Sequence, residues 1–392
     1  MRGHIAKKGN RYFAVVYAGV NPATGKETHD WHRGGKTRRE AEKVLGEIVK
    51  RMHDGDYRPP ERITLGDYLI ERWLPTKKAQ LRPSTFASYR NNINNHIIPR
   101  IGSIQLQRLQ PEDLDTFYAQ LLIDGKRNGA GGGLAPKTVR YIHGIIRKAL
   151  HDAQRKGTVT RNVADLADAP KVRAGGTKRM TVWSAEELRD FLASIEHSDW
   201  YVPIFLAANT GMRRGEVLGL PWRNVDLDTA RLVVDQQILS VDYEASVADV
   251  KTSNSRRTID LDPRSVAVLK TRRRDQLEQQ MSTGVRNDGD FVFTRADGGP
   301  IHPDFFSQSW GKLMRDSDAR RVRLHDLRHT HASILLKANV PVKVVSERLG
   351  HSSPAFTMTV YQHVLPGMQA DAALAFGDAV FGTRAADAIR DN

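Results

Sequence analysis

Two short stretches decide what this chain can fold into: "GDYRPPER" at residues 55–62 and "APKVRAGGTKRM" at 169–180. Each mixes proline, glycine and basic residues, and each interrupts the periodic apolar pattern on either side, as linkers do. A chain of 392 residues is also too long for one ordinary hydrophobic core. The reading is a multidomain α+β protein in three parts, residues 1–56, 62–172 and 178–392.

Lysine and arginine number 60 against 45 acidic residues, a formal charge of +15 with a pI near 9.9. That balance favours a polyanionic partner, nucleic acid first. With no cysteine in the chain, disulfides, thiol nucleophiles and cysteine zinc sites are excluded. The N-terminal "MRGHIAKKGNRYF" lacks the apolar centre of a signal peptide. The longest apolar run, around "YVPIFLAA", falls far short of the roughly 20 residues that span a bilayer. A soluble cytoplasmic chain with no membrane partner is expected.

In the first part, "NRYFAVVYAGV" and "ETHDWHRGG" read as strands around the turn "NPATGK". "KTRREAEKVLGEIVKRMHDG" reads as a helix opened by the capping pair Thr37 and Glu40. The expectation is a small sheet backed by one helix. Residues 1–51 carry twelve lysines and arginines against five acids, so the sheet is a candidate DNA-binding surface with Arg11 and Lys26 as contacts. A merely solubilising surface is the alternative.

The middle part reads as all-α. "RPSTFASYRNNINNHIIP", with Ser84 as N-cap, places Phe86, Tyr89, Ile93 and Ile97 on one face, and "PKTVRYIHGIIRKALHDAQRKG" repeats the pattern with Val139, Ile142, Ile146, Ala149 and Leu150. Between them "GKRNGAGGGLA" lacks the ending of a phosphate-binding loop and reads as a flexible connection. Lys77, Lys78, Arg82, Arg90, Arg140, Arg147 and Lys148 fall around these helices, as phosphate contacts or as solvated faces.

The last part reads as mainly α with a small antiparallel sheet, and it holds the residues suited to chemistry. Ser184 and Glu187 form a second capping box, and the helical pattern breaks at Thr210-Gly211 just before Arg213. Glu216, three residues on, is placed to orient the Arg213 guanidinium. "ARLVVDQQI" and "ASVADVKTSNSRRTIDL" read as strands, with "TSNS" a hairpin tip carrying Lys251 at its edge. "RLHDLRHTHASILL" puts His325 and Arg328 on one helical face.

His325 and His329 share the spacing of a zinc-binding helix. The intervening Asp-Leu-Arg lacks the glutamate of that pattern, and an arginine inside the ligand set repels a cation, so no metal is assigned. "LGHSSPAFTMTVYQHV" ends a helix at Gly350, presents His351, and restarts at Pro354 with Tyr361 on the new helix.

Taken singly these residues have ordinary structural explanations; taken as a set they suit transfer at a phosphodiester without metal or other cofactor. Arginines clamp the non-bridging oxygens and neutralise the transition state but cannot act as acids. Lysine and histidine can protonate a leaving alkoxide, and tyrosine supplies the nucleophile.

The stretches "TGMRRGE", "VKTSNSRRTI", "HDLRHTHAS", "LGHSS" and "TVYQHV", in that order, resemble the tyrosine recombinases, the phage-type integrases. The resemblance covers essentially the whole chain. It implies an arm-binding domain at 1–56, a SAM-like helical core-binding domain at 62–172 and a catalytic domain at 178–392. It also implies that Tyr361 forms a 3′-phosphotyrosine, that Arg213, Arg328, His325 and His351 surround the phosphate, and that Lys251 protonates the leaving 5′ oxygen.

The partners so implied are core-type and arm-type sites in double-stranded DNA, a homotetramer working through a Holliday junction, a host DNA-bending protein and an excision factor. The setting is the bacterial cytoplasm and nucleoid. Leu374, Phe376, Val380 and Phe381 near the C-terminus read as apolar anchors, for a neighbouring subunit or for their own domain. The competing readings are a type IB topoisomerase-like nicking-closing enzyme and a catalytically silent DNA-binding regulator.

Overall fold

The computed structural model describes residues 3–20, 25–54, 63–127, 129, 131–172, 181–250, 255–361 and 368–381. The chain divides into two compact units, Met1–Gly175 and Gly176–Asn392. That division falls inside the second linker stretch; the first, 55–62, lies outside the described residues.

The first unit begins with an antiparallel sheet of β1 (Gly3–Lys8), β2 (Arg11–Val20) and β3 (Glu27–Gly35) in that spatial order. Helix α1 (Arg38–His53) covers one face, burying Ala14, Val16 and Ile48. Its capping box is formed: Thr37 Oγ1 accepts from the Glu40 N–H, and Glu40 accepts from the Thr37 N–H.

A separate apolar cluster organises the helices that follow: α2 (Leu65–Asp67), α3 (Leu74–Lys78), α4 (Pro83–Asn92), α5 (Ile98–Ile101), α6 (Pro111–Asp124) and α7 (Pro136–Arg155). The apolar faces read from the sequence of α4 and α7 meet here, with Ile93, Ile97, Val139, Ile142, Ile146, Ala149 and Leu150 buried. Two π-helical segments, Tyr68–Trp73 and Ile93–Ile97, lead into Pro75 and Pro99. A wider turn accommodates a proline ring and its missing N–H inside a continuing helix.

Ser84 is not the N-cap of α4. Arg82 holds that position, and Pro83 starts the helix, where a missing N–H costs nothing. The glycine-rich connection is pinned at both ends, by Lys126 N–H to Gly132 O and Leu134 N–H to Leu121 O.

The second unit runs α8 (Ala185–Ser194), α9 (Tyr201–Thr210), α10 (Arg214–Leu218), β4 (Val225–Asp226), β5 (Arg231–Val234), β6 (Gln236–Val241), β7 (Glu244–Asp249) and β8 (Arg257–Asp260). It continues with α11 (Pro263–Thr283), α12 (Pro303–Asp316), α13 (Asp326–Lys337), α14 (Val342–Leu349), α15 (Pro354–Tyr361) and α16 (Met368–Phe381). The Ser184–Glu187 capping box opens α8 as expected.

The strand pairing differs from the expected hairpin around "TSNS". β7 pairs with β6 across a tight turn at Asp242-Tyr243, both in left-handed conformation, while β8 pairs with β5 in a β4-β5-β8 sheet. Alternation along a strand shows which face is buried but not which strand lies beside it.

Phe205, Leu206, Val217, Ile238, Phe291, Phe306, Trp310 and Leu327 belong to the main core of this unit. A smaller cluster of Ala332, Leu336, Val345, Leu349 and Tyr361 joins α13, α14 and α15. On α16, Leu374, Phe376 and Val380 are exposed. The Phe381 side chain lies outside the described residues.

Candidate active site

Helix ends build the site. Helix α9 stops at Gly211 and α14 at Gly350, both left-handed with φ of 66° and 68°. A side chain at Gly211 would also collide: an added Cβ would lie 2.6 Å from Leu349 and 2.8 Å from His331. The last carbonyls of a helix lack intrahelical donors and carry its partial negative charge. Arg328, on α13 and only 3% exposed, uses two carbonyls at these helix ends, donating to Gly211 O and Leu349 O at 2.7 Å each.

Arg213 follows the first break and caps α10. Its N–H donates to Glu216 Oε2 at 2.9 Å, its guanidinium to Oε1 at 2.7 Å and, more distantly, to Gly350 O at 3.5 Å. Glu216, 2% exposed, also accepts from Arg257 on β8 at 2.8 Å. Arg257 donates in addition to Arg348 O at 2.7 Å. Burial alone would raise the Glu216 carboxyl, but Arg257 and Arg213 outweigh it and hold it below the usual carboxylate range.

Two guanidiniums, Arg213 and Arg257, thus share one carboxylate, with the buried Arg328 beside them held by backbone carbonyls. Burial, and then the neighbouring Arg213, push Arg328 down to about 9, so it remains a cation at neutral pH.

His325 sits at the N-cap of α13, its pKa lowered by burial and then by Arg328. His351 follows Gly350 directly, with Nδ1 2.8 Å from Thr357 Oγ1. Burial, Arg328 and Arg213 bring it down to about 3. Tyr361, at the end of α15 and fully buried, has its hydroxyl 2.7 Å from His329 Nδ1, and its ring lies nearly parallel to His351 with centroids 6.5 Å apart. Burial pushes the phenol up to about 12, with Arg328 pulling the other way.

Five of the six residues singled out in the sequence therefore lie around one cationic centre: Arg213, His325, Arg328, His351 and Tyr361. Lys251 lies outside the described residues. Among the described residues no group of three His, Asp or Glu side chains is arranged to hold a metal ion.

Sequence reasoning missed three contributors. Arg257 has a local signal, because it falls in phase with buried Ile259 on β8 while Thr258 and Asp260 face out. His329 lies one turn from His325, a spacing that brings a metal to mind rather than a tyrosine. Thr357 carries no signal of its own.

The expected DNA contacts fare unevenly. Lys77 is withdrawn from that role: it is buried, its Nζ 2.7 Å from Asp152 Oδ2, which also accepts from Trp73 Nε1 at 2.9 Å. A helical period marks a face but does not tell a solvated lysine from one paired inside. Arg147 is exposed and pairs with Asp165, and Lys148 is exposed with its ammonium 5.8 Å from the Tyr89 ring centre. Arg11, Lys26, Lys78, Arg82 and Arg140 are exposed, and Arg90 is half-buried.

Residues 178–367 match the phage integrase family, and residues 64–122 match the N-terminal SAM-like domain of phage integrases. The chain is 27% identical to a tyrosine recombinase XerC-like protein of Caldanaerobacter subterraneus subsp. tengcongensis, over 96% of this chain and 98% of that one. A Tn1549 transposon integrase in complex with a circular intermediate DNA has a similar fold, with TM-score 0.63, 17% identity, and 76% of this chain and 95% of that chain covered. So does a lambda integrase tetramer bound to a Holliday junction, with TM-score 0.54, 16% identity, and coverage of 91% and 94%. With two family domains matched in order, the chain belongs to the phage integrase family, the tyrosine-type site-specific recombinases.

Proposed function

We propose that this recombinase cleaves each DNA strand by attack of Tyr361 on the scissile phosphate, forming a 3′-phosphotyrosine and releasing a 5′-hydroxyl. The observation that carries this assignment is the charge imbalance: among the described residues Glu216 pairs with Arg213 and Arg257, while the buried Arg328 beside them has only backbone carbonyls as hydrogen-bond partners. Buried charge in excess of its counterions is costly unless an anion arrives. A phosphodiester brings one negative charge and its pentacovalent transition state a second, so the centre binds the transition state better than the ground state.

Arg213 and Arg328 are the phosphate clamp, with Glu216 positioning Arg213. His325 and His351, neutral at working pH, donate ring N–H groups to the non-bridging oxygens. Lys251 protonates the leaving 5′ oxygen. The phosphotyrosine conserves the ester bond, so a 5′-hydroxyl from a partner duplex reseals it without ATP or metal.

Residues 1–56 are assigned to arm-type sites, 62–172 to core-type sites and 178–392 to catalysis. The match of 64–122 to the SAM-like domain supports the middle assignment. The tetramer reported for lambda integrase on a Holliday junction supports four subunits exchanging strands in pairs here. A mobile element is the natural cargo, with a DNA-bending protein and an excision factor as accessory partners. Among the described residues no helix is long and apolar enough to cross a membrane. Work on a bacterial chromosome supports the cytoplasm as the setting.

The test incubates the protein in EDTA with a nicked suicide duplex carrying the element's own core site. A covalent complex that survives denaturing electrophoresis, present for wild type and absent for Tyr361→Phe, is expected. Site binding without an adduct, under conditions that support recombination, would sink the assignment.

A further inference from the structure

Resting on Tyr361 as the nucleophile, one step is still unassigned: where the phenolic proton goes. The hydroxyl is fully buried and its ionisation is made harder by that burial. The guanidiniums are already protonated and cannot accept. Glu216 is occupied by two arginines, and His351 directs Nδ1 at Thr357. Among the described residues, the hydrogen-bond partner of the Tyr361 hydroxyl is His329 Nδ1, at 2.7 Å.

The groups that act on His329 are His325, Asp326, Arg328 and Arg323 on or beside its own helix, Tyr361 on α15 and His351 just before it. Burial, then His325, with Arg328 and Arg323 adding to the effect, bring the ring down to about 4 against the opposing pull of Asp326, so it is neutral at working pH. A neutral imidazole has one nitrogen that accepts. A buried phenol needs an acceptor, and Nδ1 is the atom in reach.

We propose that His329 is the general base of strand cleavage, taking the Tyr361 proton onto Nδ1 as the phenol oxygen attacks the scissile phosphate. The bond formed is Oη–P, and the bond broken is P–O5′. The phenolic proton goes to His329, and the leaving 5′ oxygen takes a separate proton from Lys251. The incoming phosphodiester sets a negative charge near the ring and raises its basicity as the proton has to move. In resealing, the 5′-hydroxyl gives its proton back to the Lys251 amine as O5′–P forms and P–Oη breaks, and the imidazolium of His329 returns its proton to the departing phenolate. The arrangement that carries the proposal is a nucleophile and a base within hydrogen-bond reach, beside an oxyanion clamp.

The test measures single-turnover covalent-complex formation by the full chain on two suicide duplexes. One has the ordinary bridging 5′ oxygen; the other has sulfur there, a leaving group that departs as a thiolate and needs no acid. His329→Ala is expected to slow both by about 100-fold or more, the usual contribution of a general base. Added imidazole should restore part of the rate, and site binding in gel shift should match wild type. His329→Asn, whose amide oxygen can keep the phenol's hydrogen bond but cannot take its proton, should be as slow as alanine.

Wild-type speed from His329→Asn would reduce the residue to a positioning role and overturn the proposal. Rescue of His329→Ala by the sulfur substrate would move it to the leaving group, with the same result. A wild-type protein that binds the site and makes no adduct would instead fell the nucleophile assignment, and this inference with it.

Discussion

Two buried ionic networks, one in each unit, look alike in composition and behave differently. In the helical part, Lys77 and the exposed Arg155 meet Asp152, which Trp73 also caps, so the buried cation has its counterion and the network closes on itself. In the second unit, Glu216 answers two arginines while Arg328 has only backbone carbonyls for partners among the described residues. The first is a fold constraint. The second has charge left over among the described residues, the surplus that the proposed function assigns to a phosphate.

The contrast can be broken in four ways. The largest effect is expected from Arg328→Met, which should cut adduct formation by about 100- to 1,000-fold, the range for removing one transition-state donor. Its melting temperature should change little, since a repelled cation leaves with the lost hydrogen bonds. A collapse in melting would make Arg328 a structural residue instead.

Next comes Glu216→Gln, which leaves two arginines uncompensated and should cost about 3–5 kcal/mol of stability. Duplex DNA should restore part of that loss. Asp152→Asn should destabilise by about 3 kcal/mol at the low end of the same range, with no recovery on DNA. Equal recovery by both variants would erase the distinction.

A smaller effect separates cations of the first unit. Lys77→Met should leave core-site affinity and its salt slope unchanged, while Lys148→Ala or Arg140→Ala should lower the slope by about 1 if it touches phosphate. A drop in slope for Lys77→Met would restore it to the DNA interface.

The smallest is the response to acid. His329, His331 and His351 are held at about 4, about 3 and about 3, below the ordinary histidine value, burial being the first cause in each. The unfolded chain therefore binds protons below pH 6.5 that the native state refuses. Stability from these groups is full above that pH and is lost as pH falls toward 3 to 4. His32, His96 and His143 shift in the same direction in the first unit. Melting curves between pH 7 and 5 should show the second unit losing more.

What could be read from sequence was local. The Thr37–Glu40 and Ser184–Glu187 caps, the break at Gly211 and the turn at Gly350 each depend on a few neighbouring residues, and each forms as expected. The Arg213–Glu216 pair is of the same kind. What could not be read was long-range. β8 pairs with β5 rather than β7, Asp152 reaches back 75 residues to Lys77, and His329 meets Tyr361 from 32 residues away. A helical period says which face a residue occupies, never what lies opposite. The resemblance to integrases supplied the six residues as a set, and it carried no role for Arg257, His329 or Thr357.

The carbonyls that hold Arg328 have a genetic consequence. A backbone oxygen cannot be deleted by a point mutation, so the arginine's seat survives changes to nearly every side chain around it. Variants selected for new target sites can accumulate freely without loosening it. The vulnerable points are the glycines that let the chain turn. In a screen for dead alleles, Gly211 should therefore appear among the hits beside the chemical residues, because any replacement there meets Leu349 and His331 and is strained by its backbone angle.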